Sequence, residues 1–171
     1  MKNLPRYEPP TIVRNTIGLM NKVGRRGSLL SKTHIDGVAI DALTREYGSP
    51  LFVFSESSLR SRAREMLTVM QQHLPRSRLC WSYKTNYLGA ICSIFHQEGS
   101  IAEVVSGMEY EKARRLGVKG HDIIFNGPAK TESELARAIQ ERAIIHADHF
   151  DELRMLEALA RSRGRKVQVG V

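Results

Sequence analysis

Lys84 is the side chain in this sequence best suited to chemistry. It closes the apolar, β-prone run LCWSYK, where strand alternation puts Cys80, Ser82 and Lys84 on one face and Leu79, Trp81 and Tyr83 on the other. The lysine is therefore expected to end a strand, facing inward. A buried ammonium without a partner loses its hydration, so such a lysine is paired, neutralised or bonded covalently. Glu103, at the end of the next strand-like run IAEVVS, is the expected partner. The competing reading is a strand-end lysine with its head in solvent.

Other groups invite weaker readings. His146 and His149 flank Asp148 in the manner of metal ligands, but a strand end and a helix cap do not bring their side chains together, so no metal is expected. Asn126-Gly127-Pro128 reads as a turn, and Lys130 after it as a solvated charge or a helix-facing ion pair. The arginines at 60, 62 and 64 and at 161, 163 and 165 could contact an anionic partner. Few aromatics are interleaved for base stacking, so solvated helix faces are expected and nucleic acid is not.

The elements that must carry these groups alternate. A chain of 171 residues with 42% hydrophobic content can bury one sizeable core, and its net charge of +8 comes from 26 basic and 18 acidic residues. Residues 1–34 are polar and basic, interrupted by Pro5, Pro9 and Pro10, and read as an extended arm. Ile35 to Ala42 fits a turn and short strand, Leu43 to Tyr47 one helical turn, and LFVF after Pro50 a strand. A helix capped by Ser55 or Ser57 runs to about His73, whose side chain reads as a helix C-terminal cation. Beyond the lysine strand come helices from about Tyr87 to Gln97, Gly107 to Leu116 and Thr131 to Gln140, and over 149–162. Between them lie the strands IAEVV, DIIFN and AIIHA, and KVQVGV closes the chain. Thr131 and Glu134 form a capping box, and Asp148 is expected to cap the last helix.

This βαβα repetition specifies a parallel sheet with helices outside it, either an open doubly wound sheet or a (β/α)8 barrel. Periodicity leaves both open, although the G-x-G-x-x-G fingerprint is absent. Two cysteines, Cys80 and Cys92, show no metal or disulfide spacing and suggest a reduced, cytoplasmic setting. The start MKNLPRYEPP lacks an apolar signal core, and no run is long enough to cross a membrane.

The motifs supply what periodicity does not. SYKTN resembles the Y-A-V-K-A-N lysine motif of the fold-type III pyridoxal-phosphate decarboxylases, the diaminopimelate, ornithine and arginine decarboxylase family. EVVSGMEYEKARRLGV resembles that family's D-x-x-S-x-x-E-x-x-x-A-x-x-x-G-V, IIFNGPAKTESEL its I-x-x-x-G-P-x-K-x-x-x-E-L, and YGSPL its Y-G-[TS]-P-L turn. Together these span roughly residues 35–171 in the family's order.

The resemblance implies an α/β fold, the N-terminal half of a TIM-like, alanine-racemase-like barrel with parallel strands and outer helices. Residues 35–54 would lead in from the parent's second, β domain, and residues 55–171 would form half of the cofactor-binding barrel, ending in the fifth strand. Pyridoxal 5′-phosphate is the implied cofactor, Lys84 its Schiff-base lysine, and Glu103 and Ser82 its neighbours. Glu103 departs from the family's aspartate by one methylene, and Ser82 stands where the family commonly has a small residue. The implied activity is decarboxylation of a small amino acid, diaminopimelate-type, serving lysine biosynthesis, in a homodimer. The glycine-rich phosphate loop, the ring-stacking histidine and the residues supplied across the dimer lie later in family members, so this chain alone is expected to be a poor catalyst. An alanine-racemase-like enzyme is the alternative, though its lysine is followed by A-x-A-Y-G-H-G and KTNYLGAI does not match. A non-catalytic cofactor-binding or regulatory homologue is another.

Overall fold

Each strand of the main sheet sends alternate side chains into the helices and away from them, and that alternation decides where a site can form. A computed structural model describes residues 32–164 and 166–171. The arm expected over residues 1–34 falls almost wholly outside the described residues. The chain divides into two units, Met1–Ser49 and Pro50–Val171.

In the first unit, β1 (His34–Ile35) and β2 (Val38–Ala39) pair antiparallel. The turn residues Asp36 and Gly37 have φ of 47° and 80°, the left-handed conformations that an Asp-Gly hairpin turn requires. Helix α1 (Ile40–Tyr47) follows at once and is longer than the single turn expected from Leu43.

The second unit opens with α2 (Glu56–His73), then alternates β3 (Cys80–Ser82), α3 (Gly89–Gln97), β4 (Ile101–Val104), α4 (Gly107–Arg115), β5 (Ile123–Phe125), α5 (Glu132–Gln140), β6 (Ile144–His146), α6 (Phe150–Ser162) and β7 (Val169–Gly170). These five strands form one parallel sheet in the order β3-β4-β5-β6-β7. A doubly wound sheet reverses its order at a switch point, whereas a barrel adds each strand beside the last. The order is the barrel's, as expected. LFVF does not form the expected strand: among the described residues nothing pairs with it, and Phe52 is 90% exposed. A strand needs a neighbour for its backbone groups. KVQVGV likewise contributes only Val169 and Gly170 to the ladder.

Register puts Trp81 beside Ala102 and Ala102 beside Ile123, with Val104, Phe125, Ile145 and Val169 in the next row. These side chains meet Tyr110, Ala113, Leu135, Ala138, Leu156 and Leu159 of the outer helices in one core. Burial of such apolar surface is the main stabilising term. Ala63 of α2 packs with Ile91 and Phe95 of α3, and Trp81 stacks on Phe95 with ring centroids 3.7 Å apart.

Three of these helices start alike. Ser106, Thr131 and His149 accept the amides of Glu109, Glu134 and Glu152, and each glutamate reaches back to a loop amide, Val105, Thr131 and Asp148 respectively. The second is the capping box expected from sequence. In the third the cap is His149, not Asp148, because the Asp148 amide is engaged by Glu152 and the helix begins one residue later.

Candidate functional site

The face of the sheet turned away from the helices is polar near its carboxyl ends. Ser82 lies directly opposite Glu103 in the β3–β4 register, on the alternate positions to the half-buried Trp81 and the buried Ala102. The Glu103 carboxylate accepts a hydrogen bond from Asn126 Nδ2 at 3.3 Å, one strand further on. His146 occupies the same face of β6 beside Gly170, so close that a Cβ at Gly170 would stand 2.5 Å from the imidazole Cδ2. A side chain at position 170 would have to push that ring aside. Ser82 Oγ is buried without a hydrogen-bond partner among the described residues. Buried hydroxyls are normally satisfied, so this one is available to a ligand.

Lys84 sits just beyond β3. The last ladder bond runs from Tyr83 N to the carbonyl of Glu103 at 3.0 Å, and Thr85 N then bonds Ser82 O at 3.1 Å, closing a turn around Lys84. The side chain is exposed rather than buried and inward-facing as strand alternation had predicted. The strand ends two residues early, so alternation no longer governs the lysine. Among the described residues no ion pair joins it to Glu103. The turn continues to Asn86, whose carbonyl accepts from Trp81 Nε1 and whose side chain accepts from the Leu88 amide, which delays α3 to Gly89.

Behind the lysine, the side chain of Tyr83 is wholly buried. Its hydroxyl lies 2.8 Å from His96 Nε2, while His96 Nδ1 lies 2.8 Å from the Ser100 carbonyl. A carbonyl only accepts, so Nδ1 carries the proton and Nε2 accepts from the tyrosine. Burial holds His96 below the ordinary imidazole range and pushes the Tyr83 phenol up. The base of the lysine turn is thus fixed from within.

The loop after β5 is anchored as firmly. Asn126 N donates to Val104 O at 2.8 Å, and Gly127, at φ 97°, passes so near β4 that a Cβ would lie 2.4 Å from Val105 O. Lys130 is fully buried, not solvated: it donates to Gly127 O and pairs with Glu152 at 2.8 Å. This is the ion-pair reading, with a carbonyl and a carboxylate as the partners of the buried ammonium.

Sequence reasoning put Ser82, Glu103 and Lys84 on one inward face; the structure pairs Ser82 with Glu103 in register and leaves Lys84 exposed on the turn beyond Tyr83. It missed Asn126 as the partner of Glu103 and His146 as a member of the same face. The signal for Asn126 was the alternation running on from Phe125; for His146 it was the β6 register, which sequence does not supply. His149, by contrast, has its Nδ1 engaged at the α6 cap, away from any shared site with His146. Among the described residues no helix is long and apolar enough to cross a membrane.

Chemically, the rim offers a primary amine, a carboxylate steadied by an amide, and an unsatisfied hydroxyl. Comparison with known proteins matches residues 59–171 to the family model described as "Pyridoxal-dependent decarboxylase, pyridoxal binding domain". A diaminopimelate decarboxylase from Synechocystis is 31% identical over 169 residues, covering 94% of this chain and 35% of its own length. An L-glutamyl-[BtrI acyl-carrier protein] decarboxylase from Niallia circulans is 29% identical over 139 residues, covering 81% of this chain and 32% of its own. The crystal structure of diaminopimelate decarboxylase from M. jannaschii in complex with L-lysine superposes with a TM-score of 0.70 at 28% identity, covering 80% of this chain and 32% of that one. The chain spans about a third of the length of these relatives.

Proposed function

Because this chain belongs to the pyridoxal-dependent decarboxylase family, through its pyridoxal-binding domain, we propose that it supplies the lysine side of an amino-acid decarboxylase site, with Lys84 as the covalent anchor of pyridoxal phosphate. The observation that carries this reading is the step from Glu103 to Lys84: the final ladder bond joins Tyr83 N to the Glu103 carbonyl, and the lysine is the next residue. That puts an amine and a carboxylate at the carboxyl ends of adjacent strands, where barrel enzymes hold their reactive groups.

The residues present fit the cofactor. Ser82 Oγ is an orphaned buried hydroxyl facing the same side as Glu103, and Lys84 is exposed at the rim where an aldehyde can reach it. When bound, pyridoxal phosphate supplies an aldehyde for amines and a conjugated ring that takes up the electron pair released as carbon dioxide departs. Lys84 contributes the amine, held on a turn that Tyr83 and His96 fix from behind. Glu103 offers a negative charge to a cationic ligand atom, and Ser82 a hydroxyl that can donate or accept.

The substrate is a small amino acid, diaminopimelate in the first instance, since decarboxylases of that name recur among the relatives. Residues 35–54 belong to a second, β domain of the full-length protein, and residues 55–171 to half of its cofactor barrel. The full-length protein works as a cytoplasmic homodimer. The test is reduction with borohydride after incubation with pyridoxal phosphate, followed by peptide mapping. Attachment is expected at Lys84, and Lys84→Ala should abolish it and slow carbon dioxide release by at least about a thousandfold. Near-native release from Lys84→Ala overturns the assignment; attachment at Lys130 moves the site.

A further inference from the structure

Glu103 differs from the aspartate of the motif it resembles by one methylene, which gives its carboxylate an extra torsion and a longer reach. A carboxylate free to swing is a poor fixed charge, because ligand recognition falls steeply with displacements of about 1 Å. The structure contains a restraint on it. Asn126 Nδ2 donates to Glu103 Oε1 at 3.3 Å across the gap between β4 and the end of β5. On the other flank stands Ser82, opposite Glu103 in the register.

Asn126 is itself immobilised. Its own amide is held by Val104 O at 2.8 Å, and the next residue, Gly127, is packed against the Val105 carbonyl at a φ of 97°. Lys130 then secures Gly127 O at 2.5 Å and is locked in turn by the buried carboxylate of Glu152. Four successive contacts therefore fix the backbone that carries the amide. A donor preorganised in this way restrains its acceptor at no ordering cost when ligand arrives.

We propose that Asn126 is a positioning residue for Glu103: its amide holds one carboxylate oxygen, fixes the longer side chain in a single arrangement and leaves Oε2 for the ligand beside Lys84. This rests on the reading of Glu103 as a cofactor contact. Asn126 itself need touch neither cofactor nor substrate.

The test uses the full-length protein and has one arm without cofactor. In crystal structures of the cofactor-free wild type and Asn126→Ala, the Glu103 carboxylate should move by about 1 Å or spread over several rotamers in the variant. An unmoved carboxylate overturns the proposal. In equilibrium dialysis, Asn126→Ala should weaken pyridoxal phosphate binding about tenfold, the scale of one hydrogen bond to a charged group. Glu103→Asp shortens the side chain beyond reach of the amide, so adding Asn126→Ala to it should cost less than about a further twofold. Fully additive losses mean that Asn126 acts on the fold generally, and overturn the proposal too. Wild-type protein that fails to hold the cofactor at Lys84 would fell the functional reading instead, with the crystallographic arm still deciding the role of Asn126.

Discussion

Lys130 Nζ lies 2.8 Å from Glu152 Oε1, and both side chains have no exposure to solvent. The pair joins the loop after β5 to the first turn of α6, while the second glutamate oxygen accepts the Asp148 amide and the ammonium lies over the Phe125 ring. Removing one member of a buried pair leaves the other charge without compensation. Lys130→Met or Glu152→Gln in the full-length protein should lower the unfolding free energy by about 3–5 kcal/mol in urea titrations. The joint change Lys130→Met with Glu152→Leu should restore much of that loss. Equal, additive costs would show that the charges act independently.

The Tyr83–His96–Ser100 chain should make stability depend on pH. Burial is the larger influence on His96 and lowers its pKa, against smaller opposing effects of the Ser100 carbonyl and the Asp122 carboxylate. The unfolded chain therefore binds a proton near the ordinary imidazole value of about 6.5, while the folded chain resists it to lower pH. This contribution is fully present above about pH 6.5 and is lost as the pH falls below it. Thermal unfolding of wild type between about pH 7.5 and 5.5, one unit either side of that value, should show the decline. His96→Gln should flatten that part of the profile, and a wild-type slope surviving in the variant would assign it to other groups.

Gly127 meets two demands at once, a φ of 97° and a backbone carbonyl where a Cβ would go. Gly127→Ala should destabilise the full-length protein by about 1–3 kcal/mol or more. It should also weaken pyridoxal phosphate binding, because the displaced loop carries Asn126. Denaturant titration and dialysis on the same variant check both. By comparison Gly99→Ala, where nothing lies within 4 Å of the added carbon, carries only the φ penalty.

Much of this was legible in the sequence because the period of each segment matched its final packing. The α5 helix and its box and the alternation of strand and helix follow from local rules. Lys84 shows where those rules stop: alternation assigns a direction only while the ladder lasts, and the ladder ends at Tyr83. LFVF reads as a strand by composition, yet pairing is a relation between two segments and none of the described residues meets it. Lys130 could be read either as a solvated charge or as an ion pair, because the glutamate that neutralises it is 22 residues away, on another helix. Asn126 lay within reach of the alternation running on from Phe125, whereas His146 joined the site through register, which depends on how neighbouring strands slide and not on either strand alone.

The three glutamates that reach back from α4, α5 and α6 to the loops before them have an evolutionary consequence. Each strand-to-helix connection at the rim is closed by a side chain from its own helix, through Val105, Thr131 and Asp148. The clasps are linked, because Lys130 of the connection after β5 pairs with Glu152 of the α6 clasp and Gly107 at the start of α4 leaves room for Glu134 of the α5 clasp. A change in one connection is therefore felt by its neighbour, so selection reworks the rim by paired changes in adjacent connections.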